Sequence, residues 1–204
     1  AEGFRVLTRD SPKTDPASSF NSLLGDIALR VEDILAEAFK RQTNGNVQLA
    51  FVQSDVMNYA YNGQRLFDSP VTGFSVVAQL YQEQVQIVTT NPDIKTVADL
   101  AGKKVSIGAA GSGVYFNAID VLSAYDLKES DISAVYQSFG DSAESLKDGK
   151  IDAAFIVAGA PTTAITDLAT AGSVYLVSLD DSHVQSLLSA SPYYTAATIK
   201  AGTY

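Results

Sequence analysis

From Phe74 onward, runs rich in β-branched and aromatic residues take turns with runs of helical periodicity, and no other feature of the sequence restricts the fold as strongly. Strands are predicted at 74–81, 85–90, 105–107, 134–136, 153–157, 174–177 and 194–199. Between them fall a one-turn helix at 97–100, which Thr96 can cap and Gly102 can end, and helices at 113–125, 142–147, 162–170 and 182–188. Alternation of this kind implies parallel strands in one sheet with helices on both faces. The expected class is α/β, with mixed, mostly parallel sheets flanked by helices.

The first third adds a second constraint. Residues 3–8 read as a strand and 9–17 as a polar loop punctuated by Pro12 and Pro16. From Ser18, Leu23, Leu24, Ile27, Ala28, Val31, Ile34, Leu35 and Phe39 recur at three- and four-residue intervals, the stripe of a helix that stops near Asn44-Gly45. A buried strand at 47–52 follows, then a short helix at 55–61 that Ser54 can cap and Asn62-Gly63 can end. The junction at 45–55 resembles that at 149–159: each leaves a helical run, passes a glycine and enters a buried strand that ends in small or polar residues. Two such halves tend to set the carboxyl ends of their strands around a shared crevice, which is where ligands bind. The repeat therefore points to binding.

Composition excludes several functions. A net charge of −9 and a pI near 4.4 leave no basic patch to displace counterions from phosphates, which argues against nucleic acid and anionic membrane surfaces. No run of 18 apolar residues is present to span a bilayer. Without cysteine there are no thiol nucleophiles, thiolate metal sites or disulfides. The single histidine, His183, stands in a polar helix start, Asp180-Asp181-Ser182-His183, and reads as a surface residue rather than a catalytic base. No catalytic residue, metal or cofactor is expected. The chain begins at Ala1 and Met57 is its only methionine, so a trimmed start is expected, with signal removal as one of two causes and the choice of residues produced as the other.

Binding chemistry has three candidate places. Residues 107–114, Ile-Gly-Ala-Ala-Gly-Ser-Gly-Val, pass from a strand through small residues into a helix. First-turn amides there lack internal partners and carry positive partial charge, so Gly111, Ser112 and Gly113 can hold a carboxylate; the alternative is an ordinary turn with Ser112 as cap. The stretch lacks the lysine of a nucleotide-binding P-loop and the spacing of a dinucleotide fingerprint. Gln53, Ser54 and Asp55 follow one repeated strand, and Ala158 and Gly159 the other. Gln53 and Ser54 can bond a polar solute and Asp55 an ammonium group, unless Ser54 and Pro161 merely serve helix starts. All five arginines lie at or before Arg65, so anion binding in the second half would rest on amides, hydroxyls and lysine.

Taken in order, Val52-Gln53-Ser54-Asp55, the run from Ile94 to Gly108, Gly111-Ser112-Gly113 with Asn117, residues 155–161 and residues 196–204 resemble the TAXI family of TRAP-transporter solute-binding proteins. The resemblance covers residues from about Val47 to the end. It implies a two-lobed periplasmic-binding-protein fold, with lobe 1 at 1–72, lobe 2 at 73–198 and a return segment at 199–204. It further implies capture of a small organic anion, glutamate-, glutamine- or dicarboxylate-like, for the membrane permease of a TRAP transporter. The implied location is periplasmic or extracellular, with a lipoprotein tether as one form. By position, Gln53, Ser54 and Asp55 of one lobe and Gly111, Ser112, Gly113, Ala158 and Gly159 of the other would line the pocket, with Tyr115 and Tyr193 as further candidates. A ligand-sensing domain of the same fold is the alternative, and an enzyme on this fold the lesser one.

Three departures from that pattern bear on selectivity and completeness. Residues 15–21 stand where the family carries a glycine- and tyrosine-rich ligand loop. The first lobe reads as abbreviated, and the family continues beyond a motif like 201–204 to complete that lobe. The expectation is a fragment with an open sheet edge, prone to dimerise or to be poorly stable.

Overall fold

The computed structural model describes residues 51–204. Expectations that fall on residues 1–50, including the first strand, the long helix and most of the strand at 47–52, lie outside the described residues. The described residues fall into two compact units, 51–81 and 82–204.

In the first unit, α1 spans Ser54–Asn62 and buries Asp55, Val56, Tyr59 and Ala60. Gly63 ends it in the left-handed region at φ +62, and a Cβ there would meet the Pro70 nitrogen at 2.7 Å. Ser54 is not the cap: Gln53 holds that position without a side-chain capping bond, and Ser54 is the first helical residue. The Arg65 guanidinium lies 4.9 Å from the centre of the Tyr59 ring. The run 74–81 forms no strand, contrary to its composition. Strand propensity measures fit to a half-buried pleated surface, and here Val76 and Val77 are 55% and 74% exposed.

The second unit is a mixed five-stranded sheet flanked by helices, which bears out the α/β class. Its strands are β1 (Gln84–Thr89), β2 (Lys104–Ser106), β3 (Ser133–Val135), β4 (Ala153–Ala158) and β5 (Tyr175–Leu176), in the order β3-β2-β4-β1-β5. Strand β2 runs parallel to β3 and β4, whereas β1 runs antiparallel to β4 and β5. The sheet is thus mixed, as expected, with the antiparallel pairings confined to β1. A single 3-10 turn at Val97–Leu100 joins β1 to β2. So short a connection stays at one end of the sheet, whereas a parallel crossover needs a helix long enough to return to the other. The expected strand at 194–199 is absent as well: this segment runs beside β1, held by Gln82 Nε2 donating to Thr195 Oγ1 at 2.9 Å.

Helices α2 (Gly113–Ala124) and α5 (Asp181–Ala190) cover one face; α3 (Phe139–Lys147) and α4 (Thr163–Ala171) cover the other. The alternation of β4 decides this. Ala153, Phe155 and Val157 join Val114, Ala118, Val121 and Leu122 of α2, while Ala154 and Ile156 join Leu146 of α3 and Ile165 and Leu168 of α4. A fully buried strand therefore reads as a continuous apolar run.

Helix ends set the connections. Thr96, the expected cap, forms a capping box with Asp99. At the α2–α5 corner, the Tyr125 hydroxyl donates to Asp180 Oδ2 at 3.0 Å and accepts from the Asp180 amide. His183 stacks on the Tyr125 ring at 3.7 Å and places Nδ1 2.6 Å from Asp180, so it belongs to a helix start. The Ser182 hydroxyl and the His183 amide hold the Asp180 carboxyl well below the usual carboxylate range, and the amides of Lys95 and Thr96 lower that of Asp99. A depressed folded-state value means stability that is present above the unfolded value of about 3.9 and lost as pH falls below it. Acid titration of stability by circular dichroism should accordingly show a loss below about pH 4 that is smaller in Asp180→Asn; an unchanged acid limb in that variant would refute the assignment.

Candidate functional site

Three adjacent parallel strands end at one edge of the second unit, and each leads into a helix there: β2 into α2, β3 into α3 and β4 into α4. This edge collects three sets of helix-start amides, each with four donors that lack helical partners. The chain treats the three starts differently.

At α3, Ser138 caps by accepting from the Asp141 amide at 3.2 Å and donates to the Asp141 carboxylate at 2.7 Å. That helix start thus carries its own anion. At α4, Thr162 is the cap residue, but its hydroxyl donates to the Gly159 carbonyl at 2.9 Å, and its amide donates to the Tyr204 hydroxyl at 3.0 Å. Pro161 lies one residue before the cap rather than within the first turn. At α2, the Ser112 hydroxyl accepts from the Tyr115 amide at 3.2 Å, and no acidic residue lies in the first turn. The amides of Gly113 and Val114 find no acceptor among the described residues.

The loop into α2 is shaped by close approach. Gly108 has φ +76, and a Cβ on it would lie 2.6 Å from Val114 Cβ and 3.0 Å from Ser112 Oγ. Gly111 also has φ +76. Ser112 and Gly113 are buried, and Ser112 is 1% exposed.

The expected site residues fall as follows. Gln53, Ser54 and Asp55 stand at the start of α1 in the first unit; Asp55 is fully buried and its Oδ1 accepts from the Val56 amide at 2.8 Å. Gly111, Ser112 and Gly113 lie at the carboxyl edge after β2; Ala158 ends β4 at the same edge and Gly159 follows it. Tyr115 directs its hydroxyl to Glu129 Oε2 at 2.9 Å, and the same carboxylate accepts from the Tyr136 hydroxyl. Tyr193 lies in the turn after α5, half-buried. Its neighbour Tyr194 accepts from Asn117 Nδ2 at 2.7 Å and donates to Asp120 at 3.0 Å, tying this turn to α2.

The shared Glu129 carboxylate pushes the Tyr136 phenol up to about 12, chiefly because the hydrogen bond to it favours the protonated form. A raised folded-state value gives stability that is complete below the unfolded value of about 10 and is lost as pH rises through the folded one. Stability should therefore fall between about pH 10 and about pH 12, and Tyr136→Phe should flatten that limb; an alkaline melting series that is the same in both proteins would contradict it.

Two features of this unit carry no signal in the sequence. Gln86 is 1% exposed within a strand and sits behind the loop that follows β4. A cleft of about 430 Å³ opens between β1, β5, α5 and residues 194–199, and none of the expected site residues lines it. Among the described residues there is no cluster of side chains able to hold a metal ion, and no helix is long and apolar enough to cross a membrane.

A glycine-shaped, acid-free helix start at the carboxyl edge of a mixed α/β unit presents backbone donors of the kind that can accept an anion. The chain belongs to the NMT1-like family, whose model matches residues 36–204. It is similar to the periplasmic aliphatic sulphonate binding protein SsuA from Escherichia coli, at 30% identity over 47% of this chain and 31% of that one, with a TM-score of 0.40. It is also similar to the alkanesulfonate-binding protein SsuA from Xanthomonas axonopodis pv. citri bound to MOPS, at 26% identity over 48% and 35%, TM-score 0.39. An ancestral arginine-binding protein bound to glutamine matches at 20% identity over 76% and 68%, TM-score 0.39. The chain spans about a third of the length of the two sulfonate-binding proteins.

Proposed function

We propose that this chain is the ligand-binding part of an extracytoplasmic solute-binding protein that captures a small organic anion and hands it to a membrane permease. The observation that carries the reading is the start of α2. Of the three helix starts at the carboxyl edge, it alone has neither an acidic first-turn residue nor a tyrosine hydroxyl on its leading amide. Open amides in a buried turn favour negative charge through both hydrogen bonding and the helix dipole. Membership of the NMT1-like family supports the same reading.

Gly111, Ser112 and Gly113 would hold the anion and Ala158 and Gly159 would flank it, with Tyr115 and Tyr193 as further candidates; Gln53, Ser54 and Asp55 are candidates by the TAXI resemblance. The solute is glutamate-, glutamine- or dicarboxylate-like, and the permease is of the TRAP type, as the TAXI resemblance implies. Catalysis has no part in this function. A periplasmic or extracellular location follows from it, with a lipoprotein tether as one form, and self-association into a dimer would cover exposed apolar surface.

The test is a thermal-shift screen of glutamate, glutamine, 2-oxoglutarate, succinate and fumarate, with ethanesulfonate added because helix amides accept sulfonate as readily as carboxylate. A solute at a hundred times its dissociation constant should add about 2.7 kcal/mol to stability. Ser112→Asp should keep α2 intact, since aspartate is a good cap, and yet weaken the acid that binds by at least about tenfold through like-charge repulsion. An unchanged affinity in that variant would place the anion elsewhere.

A further inference from the structure

We infer that Gln86 and Tyr204 are positioning residues that clamp the loop between β4 and α4 in the shape that receives the solute, an inference that rests on the proposed solute-binding function. Gln86 projects from β1 on the same face as Val88, into the layer shared by Ile156, Ile165 and Leu168. An amide there must find partners or destabilise the fold, because burying it unpaired costs more than an isosteric apolar side chain would. It finds them at one loop and at Tyr204. Gln86 Nε2 donates to Thr162 Oγ1 at 2.9 Å and approaches the Ala158 carbonyl at 3.4 Å. Its Oε1 accepts from the Tyr204 hydroxyl, and that hydroxyl in turn accepts from the Thr162 amide at 3.0 Å. The Thr162 hydroxyl closes the ring on the Gly159 carbonyl at 2.9 Å.

The consequence is a loop, residues 158–162, fixed at both ends by side chains that arrive from elsewhere in the unit. The carbonyls of Ala158 and Gly159 are turned inward onto Gln86 and Thr162, and the amide of Ala160 finds no acceptor among the described residues. What the loop leaves for a solute is thus donor character, matching the open amides of α2 at the same edge. Tyr204, in the segment 199–204, thereby serves the ligand edge directly: its phenol holds the amide of Thr162, the cap residue of α4, and so fixes the end of the loop that faces the open amides of α2.

Tyr204→Phe removes one oxygen and preserves the ring that packs on Ile156 and its neighbours, so it separates positioning from packing. Deuterium exchange of the whole chain without added solute should show peptides spanning 158–162 exchanging about tenfold faster, in line with the loss of one buried hydrogen-bond partner. Peptides of α2 and of 153–157 should be unchanged. Thr162→Val breaks the other arm of the ring and should give the same local pattern. In titration calorimetry with glutamate, succinate and ethanesulfonate, whichever binds the native protein should bind Tyr204→Phe about tenfold more weakly. Unchanged exchange at 158–162, or faster exchange spread over the entire unit, overturns the inference. Local loosening with none of the three binding the native protein would instead uphold the clamp and count against the solute reading, which keeps the two apart.

Discussion

Alanine at Gly108 is expected to lower the stability of the 82–204 unit by about 2–5 kcal/mol and its melting temperature by roughly 10–20 °C. Two causes add. The residue has φ +76, where a Cβ costs about 1–2 kcal/mol. The added carbon would also stand 2.6 Å from Val114 Cβ, an atom fixed to the helix backbone that has no rotamer in which to move away. Overpacking of that kind costs about 1–3 kcal/mol. Gly102→Ala is the control: φ is +71, but nothing lies within 4 Å, so only the conformational cost of about 1–2 kcal/mol applies. Urea denaturation of both variants measures the difference, and equal losses would mean that the contact with Val114 is relieved without cost. A melting loss at Gly108 also bears on function, since the backbone there shapes the turn into α2.

Much of the described fold was legible because its signals are local. Gly63 and Gly102 close short helices in the left-handed region, Thr96 and Asp99 make a capping box, and continuous apolar runs mark the buried strands. None of these depends on distant partners. What depends on a distant partner was not legible. The direction of β1 is set by how far the 90–103 connection can carry the chain, and the expected strands at 74–81 and 194–199 fail for want of a ladder rather than of suitable residues. Ser54 likewise looks like a cap from its type, yet the break in backbone conformation falls one residue earlier, at Gln53 with ψ 149.

The candidate site divides along the same line. Glycines at 108, 111 and 113 announce a turn in which main chain is approached closely, and the structure builds that turn. That the start of α2, unlike that of α3, lacks an acid of its own is visible in principle, because Asp141 lies three residues past Ser138 whereas Tyr115 lies three past Ser112. Gln86 and Tyr204 could not be found in this way. They are 118 positions apart, and only the antiparallel placement of β1 beside β4 brings a glutamine to the rear of the β4–α4 loop.

Removing Phe155 should be as damaging as crowding Gly108. The side chain is 1% exposed, lies across from Ile87 in the β1–β4 ladder and packs in the layer that holds Val114, Ala118 and Leu122 of α2. Phe155→Ala deletes a ring that no neighbour can replace, and the lost transfer energy together with the residual cavity amounts to about 3–5 kcal/mol. Phe155→Leu keeps much of the volume and should cost about 1–1.5 kcal/mol. Val77→Ala, in the equally apolar run at 74–81, should change stability by less than about 0.5 kcal/mol, because Val77 is 74% exposed and leaves no cavity. Chemical denaturation of the three variants separates burial from composition; a large loss at Val77, or a small one at Phe155, would show that the core is drawn in the wrong place. Because Phe155 supports α2 from below, the alanine variant should also loosen the first turn of that helix, and amide exchange at 113–115 should rise in step with the loss of stability.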